Sequence, residues 1–151
     1  MGIMREILFR GKRKDNGEWV EGFYYIKKLG HAGGNIFSET HVITTGIEEL
    51  RGAYGESSDF IEWEVIPETV GQYTGLCDKN GKKIFEGDVV KGMFRFGSPV
   101  KAVIKFQDGA FGLAWFRGSV QFDAFTSICN VTFEVIGNIH DNPELLKEGA
   151  E

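Results

Sequence analysis

Residues 71–90 read GQYTGLCDKNGKKIFEGDVV, a pattern typical of two short strands that a tight turn joins. The turn is Asn80-Gly81, because these residues readily adopt the positive φ angles that a tight hairpin requires. The pattern is interrupted at Gly87, where a residue without a side chain permits a bulge or kink. This stretch therefore predicts a hairpin that bends sharply into a third strand at residues 88–93.

Further strands are predicted on both sides of this hairpin. Upstream, residues 5–27 contain a second Asn-Gly turn and predict an N-terminal hairpin. Downstream, apolar residues alternate with polar ones over 100–106, which is typical of a half-buried strand. Asn142 and Pro143 predict the cap and the first residue of a short C-terminal helix. The other predicted strands cover residues 41–45, 60–66, 110–116 and 131–136.

The predicted fold class is mainly β, in two parts. Residues 1–67 form an N-terminal β-hairpin region, and residues 68–151 form a small SH3-like barrel with the short C-terminal helix. The boundary is placed at Pro67, because this proline ends the strand pattern that precedes it. Small, strongly bent barrels hide their sheet edges by closing on themselves, and the kink at Gly87 would supply such a bend.

The composition agrees with a chain of short strands. The protein has 151 residues, of which 21 are glycine and only 3 are proline, with 13 Phe, 4 Tyr and 3 Trp. Glycine at about twice its usual ~7% share, combined with many aromatic residues, is typical of strands joined by tight turns. The composition excludes a helical bundle, a collagen-like repeat, a membrane protein and a disordered chain. It does not indicate an activity.

The sequence predicts a cytoplasmic protein. No apolar run approaches the ~20 residues that a bilayer-spanning helix needs, and the N-terminus lacks the apolar segment of a signal peptide. Cys77 and Cys129 lie far apart, and neither has a partner at metal or redox spacing. We expect both cysteines to be reduced and to act as small buried hydrophobic residues.

The net charge of −5 conceals strongly segregated blocks. Residues 1–38 carry +3, residues 39–68 carry −7, residues 69–105 carry +4 and residues 106–151 carry −5. Blocks of this size can create oppositely charged faces that fit one subunit to the next. The alternative is that the blocks interleave in the folded chain and cancel.

Two basic hairpin tips, residues 10–14 (RGKRK) and residues 79–83 (KNGKK), make nucleic-acid binding the main alternative function. Basic side chains contact phosphates, and nearby aromatic rings can stack on bases. Charged turn tips are also ordinary solvated features that discourage strand pairing between molecules, so both explanations stay open. The candidate surface for nucleic acid or a protein partner consists of Arg10, Lys12, Arg13, Lys14, Lys82, Lys83, Lys91 and Arg95.

A metal or acid–base site could be assembled from Glu86, Asp88, His140 and Asp141. Carboxylates beside an imidazole can hold a divalent ion or transfer protons. The competing explanation is local, since Glu86 and Asp88 flank the predicted bend and Asp141 precedes the terminal helix. The sequence contains no nucleophile motif and no phosphate-binding glycine loop. We therefore expect a protein that is not an enzyme and that has no catalytic residues, cofactor or metal.

The acidic block at residues 39–68 offers a second kind of surface. Its aromatic residues Tyr54, Phe60 and Trp63 could bind another protein, or could meet the basic blocks of a neighbouring subunit. The same residues could instead belong to the core, which is the commoner position for aromatic side chains.

Four segments, in order along nearly the whole chain, resemble the YopX family of phage and prophage proteins. They are residues 9–12 (FRGK), 71–90, 108–111 (DGAF) and 134–146 (EVIGNIHDNPELL). The resemblance implies a mainly β, homo-oligomeric protein of phage or prophage origin, and it implies no catalytic residues. We therefore predict a self-assembling, non-enzymatic protein-interaction module without membrane contact, whose partner could be a host or phage protein. The alternative is a nucleic-acid-binding β-barrel protein that uses the basic hairpin tips.

Overall fold

The computed structural model describes residues 4–30, 33–52, 55–93, 97, 99–116, 119–125 and 132–147. The prediction of a mainly β fold is confirmed, because these residues form antiparallel strands in two sheets with almost no helix. The strands are β1 Phe9–Lys12, β2 Trp19–Gly30, β3 Ile36–Gly52, β4 Gly55–Glu64, β5 Gly71–Cys77, β6 Lys83–Phe85, β7 Asp88–Met93, β8 Pro99–Gln107, β9 Ala110–Phe116, β10 Val120–Ala124 and β11 Phe133–Asn138.

The chain divides between Gln72 and Tyr73 into two compact units. The N-terminal unit is Glu6–Gln72, and the C-terminal unit contains the chain from Tyr73 onward. Residues 68–72 therefore pack with the N-terminal unit, beyond the predicted boundary at Pro67. One reason is Thr69, whose hydroxyl accepts a hydrogen bond from the backbone N–H of Lys12 at 2.8 Å.

The N-terminal unit is built on the strand order β4-β3-β2-β1. The predicted hairpin of residues 5–27 is present as β1 and β2, and Gly17 in its turn has φ +73°. β3 and β4 are much longer than predicted. Residues 46–52 of β3 pair with residues 55–61 of β4 beyond a bulge between Thr44 and Gly46. The sequence did not predict this extension, because residues 46–52 and 55–59 show little alternation of apolar and polar side chains. Ile43 and Val65 are buried on the inner side, against Gly11.

The C-terminal unit contains the β5–β6 pairing and a five-stranded sheet of order β10-β9-β8-β7-β11. Gly81 and Gly87 have φ +82° and +85°, so the Asn-Gly turn and the bend lie where the sequence places them. β10 has no counterpart among the predicted strands. Among the strands that the structure describes, no pairing joins β10 to β11, so the SH3-like barrel is not confirmed and this sheet has two edges.

The core of the C-terminal unit lies on one face of the five-stranded sheet. The predicted alternation in β8 is confirmed for Val100, Ala102 and Ile104, which are all buried. Phe106 departs from it, since its ring is 53% exposed and packs edge-on against Phe111. The buried cluster consists of Ile84, Val90, Val100, Ala102, Ile104 and Leu113, with Trp115, Phe125, Phe133 and Val135 packed against it.

The predicted short C-terminal helix is not confirmed, because a single 3-10 turn at Pro143–Leu146 takes its place. The side chain of Asn142 does not cap this turn. Its Oδ1 instead accepts the backbone N–H of Asn138 at 3.3 Å, which ties the turn to the end of β11. No helix in the described ranges is long and apolar enough to cross a membrane.

The expectation that both cysteines are buried is wrong for Cys77, which is exposed at the end of β5. The register of β5 against β6 shifts between Tyr73 and Cys77, and Cys77 pairs with Lys83 at the end of the β5–β6 ladder. Cys129 lies outside the described residues.

Candidate interaction surfaces

The first basic tip lies in the N-terminal unit, where the ring of Trp19 contacts two of its cationic side chains. Arg10 is only 9% exposed, and its guanidinium carbon lies 4.7 Å from the centroid of the Trp19 ring. Lys12 Nζ lies 5.6 Å from the same ring. Both residues share a face with Trp19 because β1 pairs with β2 in the register Lys12↔Trp19. Cation–π contacts of this kind favour a fixed position for the charge.

The other two cations of this tip pair with acidic residues. Arg13 Nε donates to Asp15 at 2.9 Å, and the Arg13 guanidinium stacks 3.9 Å from the Trp63 ring. The hydrogen bond from Arg13 lowers the pKa of Asp15 below its ordinary value. Lys14 Nζ lies 2.9 Å from the carboxylate of Glu64. The tip is therefore a set of paired charges.

The second basic tip lies in the C-terminal unit and is also paired. Lys91 Nζ lies 3.4 Å from Glu134 Oε2, and Lys79 Nζ lies 3.3 Å from the same oxygen. The hydrogen bond from Lys79 and the charge of both lysines lower the pKa of Glu134. Lys83 Nζ lies 5.3 Å from the Tyr73 ring. These lysines help to hold the hairpin tip and the β7–β11 pair in place.

Lys82 belongs to the turn that Asp78 organises. Asp78 is 8% exposed, and its Oδ1 accepts the backbone N–H groups of Asn80 and Lys82 at 2.8 and 2.9 Å. Its Oδ2 accepts the N–H of Val135 at 3.0 Å, which is the largest cause of a lowered pKa for Asp78. Arg95, the remaining residue of the predicted basic surface, lies outside the described residues.

Two carboxylates of the candidate acid–base set, those of Asp88 and Asp141, make local hydrogen bonds. Asp88 is 1% exposed, and its Oδ2 accepts the backbone N–H of Phe85 at 2.8 Å, which closes the bend around Gly87. Asp141 accepts a hydrogen bond from the side-chain amide of Asn138. Over the ranges that the structure describes, no three His, Cys, Asp or Glu side chains are grouped so as to hold a metal ion.

An exposed apolar face covers the outer side of β2, β3 and β4. Side chains alternate along β2, and the registers Phe23↔Thr44 and Thr44↔Glu62 place odd-numbered β2 residues on the face of Glu62. Hydrogen bonds from Tyr25 and Lys27 to Glu62 agree with this placement. Ile47 and Phe60 are direct cross-strand partners on the same face. We call this surface the apolar face, and its large residues are Phe23, Tyr25, Leu29, Ile47 and Phe60.

Exposure separates the aromatic residues of the acidic block. Phe60 is 61% exposed, and Phe23, Leu29 and Ile47 are exposed by 59–69%. Trp63 is half-buried under Arg13, and Tyr54 lies outside the described residues. The sequence indicated Phe60, but it offered no signal for Phe23 or Leu29. The alternation of side chains along β2 could have identified these two residues as exposed only if the buried side of the strand had been known.

A groove of about 330 Å³ opens on the five-stranded sheet, within the C-terminal unit. Its floor includes Val89, Val103 and Ala114, which form one row across β7, β8 and β9. Alternation along β8 places Lys101 and Lys105 on the same side as Val103. The groove is completed by Ala102, Trp115, Val120, Ile139, Leu145 and Leu146. Sequence reasoning missed it, because Ile139, Leu145 and Leu146 come from the distant C-terminal segment.

Comparison with known proteins identifies a family and a similar solved structure. The family model described as "YopX protein" matches residues 8–147, nearly the whole chain. Among solved structures, the chain is similar to protein EF1440 from Enterococcus faecalis, with a TM-score of 0.54 and 24% sequence identity. That match covers 95% of this chain and 99% of the other, and it concerns the fold alone. No curated protein matches the chain significantly.

Proposed function

This chain belongs to the YopX family, and from that premise we propose that it is a self-assembling, non-enzymatic protein-interaction module of phage or prophage origin that acts in the cytoplasm. The apolar face carries this proposal. Its four most exposed residues, Phe23, Leu29, Ile47 and Phe60, share one side of one sheet. Single exposed apolar residues are ordinary on a protein surface, but a group of them on one side of one sheet is typical of an interaction site.

The form of the apolar face favours a protein partner. Aromatic residues surrounded by polar ones are typical of interface centres, because an aromatic ring buries a large area with few rotatable bonds. Around the ring of Phe60 lie the carboxylate of Glu62 and the hydroxyl of Tyr25, which hydrogen-bond to each other. Polar groups around an aromatic residue suit a surface that is hydrated in the free molecule and loses its water when the partner binds.

Nucleic-acid binding remains the alternative proposal, and the pairing of the basic residues weakens it. A phosphate competing for Arg13, Lys14 or Lys91 must displace Asp15, Glu64 or Glu134. Each displacement would leave a carboxylate beside the phosphate, which repels it. A protein partner for the apolar face requires no such exchange.

The proposal is tested by the mass of the protein in solution. We expect the wild-type chain to form an oligomer in sedimentation velocity at micromolar concentration. The double variant Phe23→Ser with Phe60→Ser should dissociate, because it removes two anchors from the apolar face. The matched control is Ile26→Ser with Leu76→Ser, which also replaces two exposed apolar residues but leaves the face intact.

Three results would count against this proposal. A wild-type monomer at all concentrations would refute self-assembly. Equal dissociation of the control and the face variant would show that the apolar face is not the site. Salt-sensitive binding of the wild-type chain to DNA or RNA at about 50 mM salt, unaffected by the face variant, would favour the nucleic-acid alternative.

A further inference from the structure

We infer that the cross-strand pair Ile47–Phe60 of one copy docks into the groove on the five-stranded sheet of the next copy. This inference rests on the proposed self-assembly and names the two surfaces that meet. The occupant of the groove is thus a second copy of this chain.

The groove has the size and lining that such a pair requires. A cavity of about 150 Å³ accommodates a benzene ring, so a groove of about 330 Å³ can hold the phenyl ring of Phe60 and the smaller side chain of Ile47. Its floor row of Val89, Val103 and Ala114 is apolar, and it needs no hydrogen-bond partner from an incoming ring. Aromatic anchors seated in apolar pockets are the usual source of binding energy at interfaces.

The charges around the two surfaces are complementary. Lys101 and Lys105 stand on the groove side of β8, one on each side of Val103. In the described part of the chain, no carboxylate forms an ion pair with Lys105. Glu49 is exposed on the apolar face, two residues beyond Ile47 along β3. Its carboxylate can therefore meet a lysine at the groove when the Ile47–Phe60 pair docks.

The lysines at the groove belong to a basic stretch of the chain. Ile47 and Phe60 lie in the segment 39–68, which carries −7, and Lys101 and Lys105 lie in the segment 69–105, which carries +4, whereas six of the eleven groove residues lie in the segment 106–151, which carries −5. The charge complementarity of the two surfaces therefore depends on Lys101 and Lys105, and not on the segments as a whole. The β4 edge strand, which carries Asp59, Glu62 and Glu64, would repel itself in a symmetric pairing.

A contact between two different surfaces has a consequence for assembly. Each copy offers one pair and one groove, so the contact is heterologous and repeats from copy to copy. Such an arrangement gives a ring if the rotation closes and a filament if it does not.

This heterologous contact is tested by mixing two variants. The pair variant is Ile47→Ser with Phe60→Ser, and the groove variant is Lys105→Glu with Leu146→Ser. All four residues are exposed, so folding should be preserved, and circular dichroism with thermal melting checks it. Each variant alone should be monomeric. A 1:1 mixture should form a species of twice the 16.9 kDa chain mass and nothing larger, because one intact pair then meets one intact groove.

A charge exchange provides a second, independent measurement. Glu49→Lys alone and Lys105→Glu alone should each weaken association at least several-fold, and the chain carrying both changes should associate again. The matched control is Lys147→Glu with Leu76→Ser, which changes one charge and one exposed apolar residue outside the groove lining and should assemble like the wild type.

Three results would overturn the inference. If the wild type is monomeric, the proposed function and this inference both fail. If the wild type assembles and the groove variant assembles equally well, only the inference fails, and the apolar face binds elsewhere. If both variants are folded and monomeric but their mixture stays monomeric, the contact is not heterologous and the inference is wrong.

Discussion

Asp78 shows how one carboxylate fixes both a local turn and a distant strand. Its two oxygens accept the N–H groups of Asn80 and Lys82 inside the hairpin turn and of Val135 in β11. Charge-assisted hydrogen bonds to backbone N–H groups stabilise the ionised form, which is why the pKa of Asp78 is lowered. At the residue scale, the ionised carboxylate of Asp78 therefore holds the hairpin turn and β11 together in the C-terminal unit.

We expect Asp78→Asn to lower the melting temperature by several degrees at pH 7. The amide has only one acceptor oxygen, so at least one of the three N–H groups loses its partner. Since the pKa of Asp78 is lowered in the folded state, its contribution is present above the ordinary carboxyl pKa near 3.8 and is lost as the pH falls through the lowered value. The difference in melting temperature between the variant and the wild type should therefore become smaller in strong acid.

Thermal melting followed by circular dichroism between pH 7 and pH 2 measures this effect. The matched control is Asp108→Asn, in an exposed turn whose φ of +52° asparagine tolerates well. If the melting temperatures of Asp78→Asn and the wild type differ by the same amount at every pH, ionisation of Asp78 does not contribute to stability.

At the scale of elements, β2 and β3 form the ladder on which the apolar face is built. The two strands approach closely at Gly22, where an added Cβ would lie 2.1 Å from the carbonyl oxygen of Thr44. A backbone atom cannot rotate away as a side chain can, so any larger residue must separate the strands. The requirement for glycine here arises from a close approach of two backbones.

We expect Gly22→Ala to destabilise the protein by about 2–3 kcal/mol, the upper part of the range for overpacking. The matched control is Gly46→Ala, another glycine within a strand of this sheet, where an added Cβ meets nothing within 4 Å. The control should be neutral or slightly stabilising, because alanine restricts the unfolded chain more than glycine does. Urea denaturation measures both, and equal stability of the two variants would contradict the close approach.

At the scale of the whole molecule, charge is organised in blocks while individual basic residues are paired. Of the basic residues that the sequence suggested for nucleic acid, Arg13, Lys14 and Lys91 pair with Asp15, Glu64 and Glu134. Arg10, Lys12 and Lys83 lie over aromatic rings. Lys105, beside the groove, is exposed. The proposed assembly thus depends on a small number of exposed charges and on the apolar surfaces between them.

We expect association of the wild-type chain to weaken several-fold between 0.1 M and 1 M salt. The Debye length falls from about 10 Å to about 3 Å over this range, and each surface ion pair contributes about 0.2–1 kcal/mol. Sedimentation equilibrium at the two salt concentrations measures the change. Lys101→Ala with Lys105→Ala should associate more weakly at low salt and lose most of the salt dependence. An affinity that is unchanged in the wild type would show that charge does not guide the contact.

The sequence by itself determined the family, the mainly β class and the positions of the tight turns. Gly17 and Gly81 adopt the positive φ angles that the Asn-Gly dipeptides predict, and Gly87, with φ +85°, lies at the predicted kink, because such angles are a local property of the backbone. Alternation in β8 likewise predicted the burial of Val100, Ala102 and Ile104, although not the exposure of Phe106. These features depend on neighbours in the chain.

Only the tertiary structure decided what those strands enclose and expose. Among the strands that the structure describes, the five-stranded sheet has two edges and does not close into the predicted barrel, because closure depends on which strands meet across many intervening residues. The pairing of Lys91 with Glu134, the exposure of Phe23 and the groove between β8 and Leu146 are likewise contacts of residues far apart in sequence. The basic tips, prominent in the sequence, proved to be paired, and the apolar face became visible only when the long β3–β4 ladder was folded.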